Sequence, residues 1–382
     1  MTNHQITGPA NSSLGTVRVE GRSDSTICIP SVKNARMPTR ADENFMRHAL
    51  AQAELGVGLT SPNPAVGAVI VKDGAVIAQG HHRKAGGPHA EIAALSAAET
   101  AGVNVSGATA YVTLEPCSTH GRTGACTQAL IKAGIARVVY GAVDPNPDHA
   151  GVADAVLGKA GIAVTSGILR AECERLLRPF TKWITTGLPY VIAKVGQSLD
   201  GRLTRPPGEQ QWLTSEASRA HAMGLRVRCD AIMVGAETLR QDNPKLTLRG
   251  EGIPADKEQP WRIIVTRSGV VPRDSHVLTD EWNHRTLLLT GDLTFEEMLG
   301  DLAGHGITSV LLEGGGNLMA QAFAARAVDE VCWYIAPLIC GGGTMSVGGV
   351  GFADGAHSVA LKEVQHEIIG DNVCISGYPV WK

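Results

Sequence analysis

In the stretch PHAEIAAL, Glu91 stands two residues after His89, and farther along LEPCSTHGRTGAC carries Cys117 and Cys126 with eight residues between them. Imidazole nitrogen and thiolate sulfur are donors that suit Zn²⁺, and three such ligands leave the fourth tetrahedral position to water. Zinc lowers the pKa of that water toward ~7, which makes hydroxide available at neutral pH. A carboxylate two residues from one ligand can face the same water and carry its proton to a leaving amine. His89, Cys117 and Cys126 as ligands, with Glu91 as general acid/base, therefore describe metal-assisted hydrolysis. Taken alone, the two thiols also allow buried apolar packing, a disulfide or a redox pair. His120 inside the loop offers a fourth ligand that would close the site into a structural one, but a structural site leaves the acid beside the metal unexplained.

The chain around these residues bounds the options. Its 382 residues exceed what one compact core holds, so two domains are expected. A net charge of −3 without a basic excess argues against a nucleic-acid partner, and no apolar run reaches the ~18 residues of a membrane span. The opening MTNHQITGPANSSLG lacks the charged start and apolar stretch of a secretory leader, and eight cysteines in so long a chain do not suggest a disulfide framework. A cytoplasmic protein is expected. Cys28, Cys173, Cys229, Cys332, Cys340 and Cys374 are scattered and read as small buried hydrophobes.

Residues 1–40 are rich in Asn, Ser, Thr, Gly and Pro and read as a disordered tail. A helical pattern begins at Ala41, AVGAVIVKDGAVIAQGHH reads as a hairpin about Lys72-Asp73-Gly74, and HAEIAALSAAETAG, ATAYVTLEP, ACTQALIKAGI and RVVYGAVDP alternate helix with strand. This is the pattern of an α/β sandwich with helices on both faces of its sheet, over residues 41–187 including a connector that ends near TTGLP. A second alternating set, from YVIAKVGQSLDGRL to VDEVCWYIAPLIC, predicts a second α/β domain over 188–382.

That second half offers weaker chemical signals. In VLLEGGGNLMAQAF, glycines follow a strand and open a helix, where backbone N–H groups can approach a phosphate, yet neither G-x-G-x-x-G nor a Walker GK[ST] is present. Arg226 and Arg249 suit bidentate phosphate binding, though each is by default a solvated charge. Arg267 and Ser268, after WRIIVT, fit a 2′-phosphate as well as an ordinary loop. Asn63 in SPNP, Asp144 and Asn146 in DPNP, and Asp200 in SLDG are turn formers.

H-x-E followed by P-C…C is the signature of zinc deaminases that act on bases, most of which space the cysteines as P-C-x-x-C. With CSTHGRTGAC, TSPNPAVGAVIVKDG and DPNP, this chain resembles instead the deaminase half of the bifunctional riboflavin-biosynthesis deaminase–reductases. KVGQSLDGRL, QQWLTSEASR, LRVRCDAIMVGAETLRQDNPKLTLR, LLEGGGNL and VDEVCWYIAPLICGG resemble the reductase half, so the likeness covers about 41–382.

The resemblance implies a cytidine-deaminase-like α/β/α sandwich followed by a dihydrofolate-reductase-like α/β domain. It implies zinc-dependent removal of the 2-amino group of a diaminopyrimidinone ribosylamine 5′-phosphate, then NADPH-dependent reduction of the ribosyl group to ribityl. Asn63, Arg122, Asp144 and Asn146 would meet the first substrate. Gly196, Trp212, Thr238, Asp242, Gly315, Gly316 and Asn317 would meet NADPH, and Gln210, Arg226, Leu246, Arg249 and Glu313 the second substrate. Thr119 stands where most members have His, and Gln210 where many have Ser. The partner expected is a small molecule, neither nucleic acid nor membrane; a homo-oligomer is left open. One zinc per chain follows from one three-ligand site.

Overall fold

Thr39 starts the first helix. Its hydroxyl accepts from the Asp42 N–H at 3.2 Å, and the Asp42 carboxylate accepts from the Thr39 N–H at 3.0 Å. This reciprocal cap sets the start of α1 (Arg40–Glu54) one residue before the expected Ala41. The computed structural model describes residues 39–118, 124–147, 149–206, 208–209, 212–349 and 358–381. Of the expected tail, residues 1–38 therefore lie outside the described residues, while Thr39 and Arg40 belong to the capped helix.

Strands β1 (Gly67–Lys72) and β2 (Ala75–His81) form the expected hairpin. Asp73 and Gly74 both take left-handed φ, 52° and 78°, as a two-residue turn matched to strand twist requires. Next come α2 (Ala90–Thr100), β3 (Thr109–Leu114), α3 (Cys126–Lys132), β4 (Arg137–Ala142), α4 (Val152–Lys159), β5 (Ala163–Ser166) and α5 (Arg170–Thr186). The sheet order is β2-β1-β3-β4-β5, with β3, β4 and β5 parallel, so their carboxyl ends leave at one edge. The stretch read as a connector thus supplies the edge strand β5. α1 seats Met46, Ala49 and Ala53 on this sheet, a helical stripe buried in the core with Val69, Val112 and Val139.

The second sheet begins at β6 (Tyr190–Ser198), followed by α6 (Glu216–Arg228), β7 (Ala231–Gly235), α7 (Ala236–Asp242), β8 (Trp261–Thr266), α8 (His276–Thr279), β9 (Thr286–Thr290), α9 (Phe295–Gly304), β10 (Ser309–Leu312), α10 (Gly316–Ala324), β11 (Glu330–Ala336), β12 (Ala360–Ile369) and β13 (Asn372–Val380). Its order is β12-β13-β11-β6-β10-β7-β8-β9. From β11 to β9 the strands are parallel, and residues 190–193 of β6 and all of β10 are buried, as the central strands of a parallel sheet are. β12 shows no apolar alternation because most of it is exposed; it is placed by pairing with β13.

Polar contacts join the two sheets' loops. The Ser61 hydroxyl donates to Asp230 at 2.7 Å, and the Lys257 ammonium donates to the Gly58 carbonyl at 2.6 Å. Among the described residues no helix is long and apolar enough to cross a membrane.

Candidate active sites

His89 is the N-cap of α2, Cys126 is the first residue of α3, and Cys117 follows β3 at its carboxyl end. The fold thereby converges three donors from three elements. His89 Nδ1 lies 3.5 Å from Cys117 Sγ and 3.4 Å from Cys126 Sγ. Two ligands on one tetrahedral zinc, with Zn–S ≈ 2.3 Å and Zn–N ≈ 2.0–2.1 Å, sit about 3.6 Å apart, so the donor set fits the ion without rearrangement. The Cys126 backbone N–H donates to Cys117 Sγ at 3.4 Å and supports a thiolate there.

Glu91 lies in the first turn of α2 and is 5% exposed. Burial pushes its carboxyl up to about 7, and negative charge on Cys117 adds to the effect. The Cys117 thiol is held down at about 4 by hydrogen bonds from Cys126 and His89, whereas its contact with Cys117 and burial push Cys126 up. A divalent cation at the three donors would draw the second thiol proton off and pull the Glu91 carboxyl back toward the carboxylate.

A cavity of about 550 Å³ opens over this cluster, and Asn63, His89, Glu91, Cys117, Asp144 and Asn146 all line it. Asp144 and Asn146 keep their turn chemistry as well, since the Asn146 N–H donates to Asp144 Oδ1 at 2.9 Å. Burial pushes the Asp144 carboxyl up. Arg122, with Thr119 and His120, lies outside the described residues.

Two residues the sequence reading passed over hold this pocket in shape. His82, 3% exposed, contacts the Pro88 carbonyl through Nδ1 at 2.9 Å and Asn63 Nδ2 through Nε2 at 3.1 Å. With Nδ1–H donating to Pro88, Nε2 accepts from the Asn63 amide, which fixes the orientation of Asn63 at the cavity wall. Glu115, 3% exposed, accepts from the N–H groups of Asp144 (3.2 Å), Gly151 (3.0 Å) and Ala153 (3.0 Å), which ties the DPNP loop to the segment after β3 that carries Cys117. Its place immediately before Pro-Cys is the only sequence signal for it.

The residues expected to form a second site gather at the carboxyl edge of the parallel strands β6, β10 and β7, where open α/β sheets bind ligands. Gly196 is near the end of β6, Glu313 follows β10, and Thr238 lies in α7 directly after β7. Gly315 caps α10, and a Cβ built on it would come within 3.8 Å of the Thr238 hydroxyl, so these two predicted residues share one crevice. Gly316 is required by packing: a Cβ there would meet the Met345 carbonyl at 2.1 Å. Asn317 packs at the same segment, its Oδ1 2.8 Å from a Cβ built on Gly348. Trp212 is 54% exposed with the Arg219 guanidinium 5.2 Å over its ring, and Asp242 ends α7.

Arg226 is not a solvated charge. Its guanidinium donates to both Glu313 oxygens at 2.7 and 2.9 Å and to the Thr247 carbonyl at 3.0 Å. Burial pushes the Glu313 carboxyl up, but Arg226 and Lys194 outweigh it and hold it at about 2. Arg249 is exposed overall, but its partly covered guanidinium feels the same cluster, lowered by partial desolvation and by the neighbouring Arg226 charge. Leu246 is 2% exposed with φ 52°, a left-handed non-glycine of the kind that stores strain at ligand sites. Arg267 pairs with Asp292 at 3.1 Å on the open surface. Gln210 lies outside the described residues. Glycines at a helix start and a cationic cluster suit the phosphates of a dinucleotide and of a sugar phosphate.

Comparison with known proteins agrees with both halves. Residues 39–142 match the family described as the cytidine and deoxycytidylate deaminase zinc-binding region, and residues 189–375 match the RibD C-terminal domain. The chain is 38% identical over 365 residues to riboflavin biosynthesis protein RibD of Escherichia coli, covering 87% of this chain and 98% of that one. It is 37% identical over 376 residues to the RibD protein of Actinobacillus pleuropneumoniae, covering 91% and 98%. Among solved structures, Acinetobacter baumannii RibD superposes with a TM-score of 0.80 at 33% identity over 89% of this chain and 99% of that one. The diaminohydroxyphosphoribosylaminopyrimidine deaminase/5-amino-6-(5-phosphoribosylamino)uracil reductase of Thermotoga maritima does so with 0.80 at 32% identity over 89% and 99%.

Proposed function

Because this chain belongs to the RibD family, bifunctional enzymes of riboflavin biosynthesis that join a zinc-binding deaminase domain to a reductase domain, we propose that it performs two consecutive steps on one phosphorylated pyrimidine. The first replaces the 2-amino group of 2,5-diamino-6-ribosylamino-4(3H)-pyrimidinone 5′-phosphate by oxygen with release of ammonia. The second reduces the ribosyl group to ribityl. Residues 41–187 carry the first activity and 188–382 the second.

Zinc at His89, Cys117 and Cys126 supplies Lewis acidity toward water. Glu91, held as a carboxylate once a cation sits at the three donors, would take the proton from water and deliver it to the departing amine. Asn63, oriented by His82, together with Asp144 and Asn146, positions the pyrimidine, and Arg122 meets its phosphate. In the second half NADPH supplies the hydride. Gly196, Thr238, Gly315, Gly316 and Asn317 form its bed, with Trp212 and Asp242 at the rim. Arg249, the two unused N–H groups of Arg226, Gln210 and the backbone at Leu246 hold the sugar phosphate, and Glu313 keeps Arg226 in place. A small-molecule partner and a cytoplasmic setting accompany this reading, and a homo-oligomer is compatible with it.

The observation that carries the proposal is the convergence of a zinc-spaced donor triad and a buried Glu91 in one cavity. The test supplies the full chain with the diaminopyrimidine substrate and follows ammonia release and NADPH oxidation together. Both signals are expected, ammonia first. Ammonia release absent from zinc-loaded protein, or NADPH oxidation absent with the deaminated intermediate, would remove the corresponding half.

A further inference from the structure

A second donor set lies far from the deaminase pocket in sequence and resembles it in kind. Cys332 on β11 and Cys374 on β13 were read as unrelated buried residues, but the antiparallel register pairs Tyr334 with Cys374 and Cys332 with Ser376. The two cysteines are therefore diagonal neighbours on one face, with their sulfurs 3.5 Å apart. His221 on α6 packs against that face, and one donor atom from each of the three residues lies within 4.8 Å of the others. We propose that Cys332, Cys374 and His221 form a second site for a thiophilic d¹⁰ cation such as Zn²⁺, distinct from the deaminase site.

Geometry separates this reading from its rivals. Diagonal residues in antiparallel strands have Cα atoms about 7–8 Å apart. Disulfides need about 4.4–6.8 Å, so oxidation of this pair is disfavoured. Two thiolates on one tetrahedral zinc sit about 3.8 Å apart, close to the separation here. Simple core packing accounts for two buried cysteines but does not by itself bring an imidazole nitrogen within 4.8 Å of both sulfurs. The Tyr334 hydroxyl lies 2.7 Å from His221 Nδ1 and steadies the ring, and Glu367 Oε2 lies 4.0 Å from Nε2. Both cysteines are under 5% exposed, while the His221 side chain is 42% exposed on an open groove that reaches all three, which provides an entry path. Among the described residues, Glu330, two positions from Cys332 and buried, accepts from the Tyr190 hydroxyl at 3.2 Å and pairs with Arg228 at 3.4 Å, so it is engaged elsewhere and the site binds metal without hydrolytic chemistry. An ion there would tie α6, the helix that carries Arg226, to β11 and β13.

Metal content of the full chain tests this, read after equilibration with zinc and removal of loosely bound ion. The wild-type chain is expected to hold two zincs, where the sequence alone called for one. Cys332→Ser with Cys374→Ser should hold one and still release ammonia; Cys117→Ala with Cys126→Ala should hold one and release none. The latter protein, loaded with Co²⁺, should show sulfur-to-cobalt charge-transfer absorption. His221→Ala, a change at an exposed side chain that folding tolerates, should weaken the second zinc by at least about tenfold, since even outer-shell partners are worth 10–100-fold. One zinc per wild-type chain, all of it lost with Cys117 and Cys126, would overturn this site and leave the deaminase reading intact. Unchanged binding in His221→Ala would also overturn it.

Discussion

The deaminase pocket and the reductase crevice use the same scaffold feature, the carboxyl edge of parallel strands, yet they are assembled over different sequence distances. His89, Glu91, Cys117 and Cys126 come from two helix starts and one strand end within residues 89–126. The crevice draws on Gly196, Arg226, Thr238 and Glu313, from a strand, a helix, a second helix and a loop spread over more than a hundred residues of chain. The pocket is organised by soft donors that need an ion. The crevice is organised by a buried ion pair, Arg226–Glu313, that is complete without one. The deaminase metal site announces itself because its rare residue types lie within one short stretch, whereas an ion pair made of common ones is visible only once folded.

If that contrast is right, removing a metal ligand should have the largest effect and stay on one side of the molecule. Cys126→Ala should abolish ammonia release and lose the zinc held with His89 and Cys117. Reduction of supplied deaminated intermediate should persist, as NADPH oxidation reads. Loss of both activities together would break the separation.

Glu313→Ala attacks the other organiser. It leaves a buried guanidinium without its carboxylate, which costs about 3–5 kcal/mol, read as a lowered unfolding midpoint of the second half with loss of reduction. The pair also predicts acid sensitivity. Glu313 is held at about 2 in the folded chain, against ~4.3 when unfolded. Its contribution is therefore present above pH ~4.3 and lost as pH falls toward 2. The acid dependence of unfolding should flatten in that window in Glu313→Gln.

Glu91→Gln keeps size and hydrogen bonding but cannot carry a proton. Deamination should fall by ~10²-fold or more with zinc retained and reduction untouched. A Gln variant that deaminates normally would return the zinc to a structural role. The smallest effect sharpens the crevice. Arg249→Ala should raise KM for the deaminated intermediate tenfold or more, the worth of a charge-assisted contact of roughly 1.5–3 kcal/mol, with NADPH binding little changed.

Much of this was legible before folding. The Asp73-Gly74 turn, the alternation of strand and helix, and the His-x-Glu and Pro-Cys motifs each depend on neighbours a few residues away, and the structure agrees with them. β12 was not legible, because an exposed strand with charges on both faces has no apolar period and exists only by pairing with β13. The roles of His82 and Glu115 were hidden for a related reason: each acts through backbone groups or side chains that only the folded chain brings near. Arg226 reads as a solvated charge by default because sequence does not show that Glu313, on another element, takes two of its five N–H groups and the Thr247 carbonyl a third.

By itself the sequence determined the chemistry of the first site and the class of both halves. Donor identity, proton-carrying capacity and the period of buried residues are properties of the chain and do not change when it folds. Tertiary structure decided which distant groups meet: Asn63 with His82, Thr238 with Gly315, Arg226 with Glu313, and Cys332 with Cys374 and His221. Those meetings depend on strand order and register. A diagonal cysteine pair on β11 and β13 exists only because Tyr334 faces Cys374, and sliding β13 by one residue would turn Cys374 to the opposite face of the sheet.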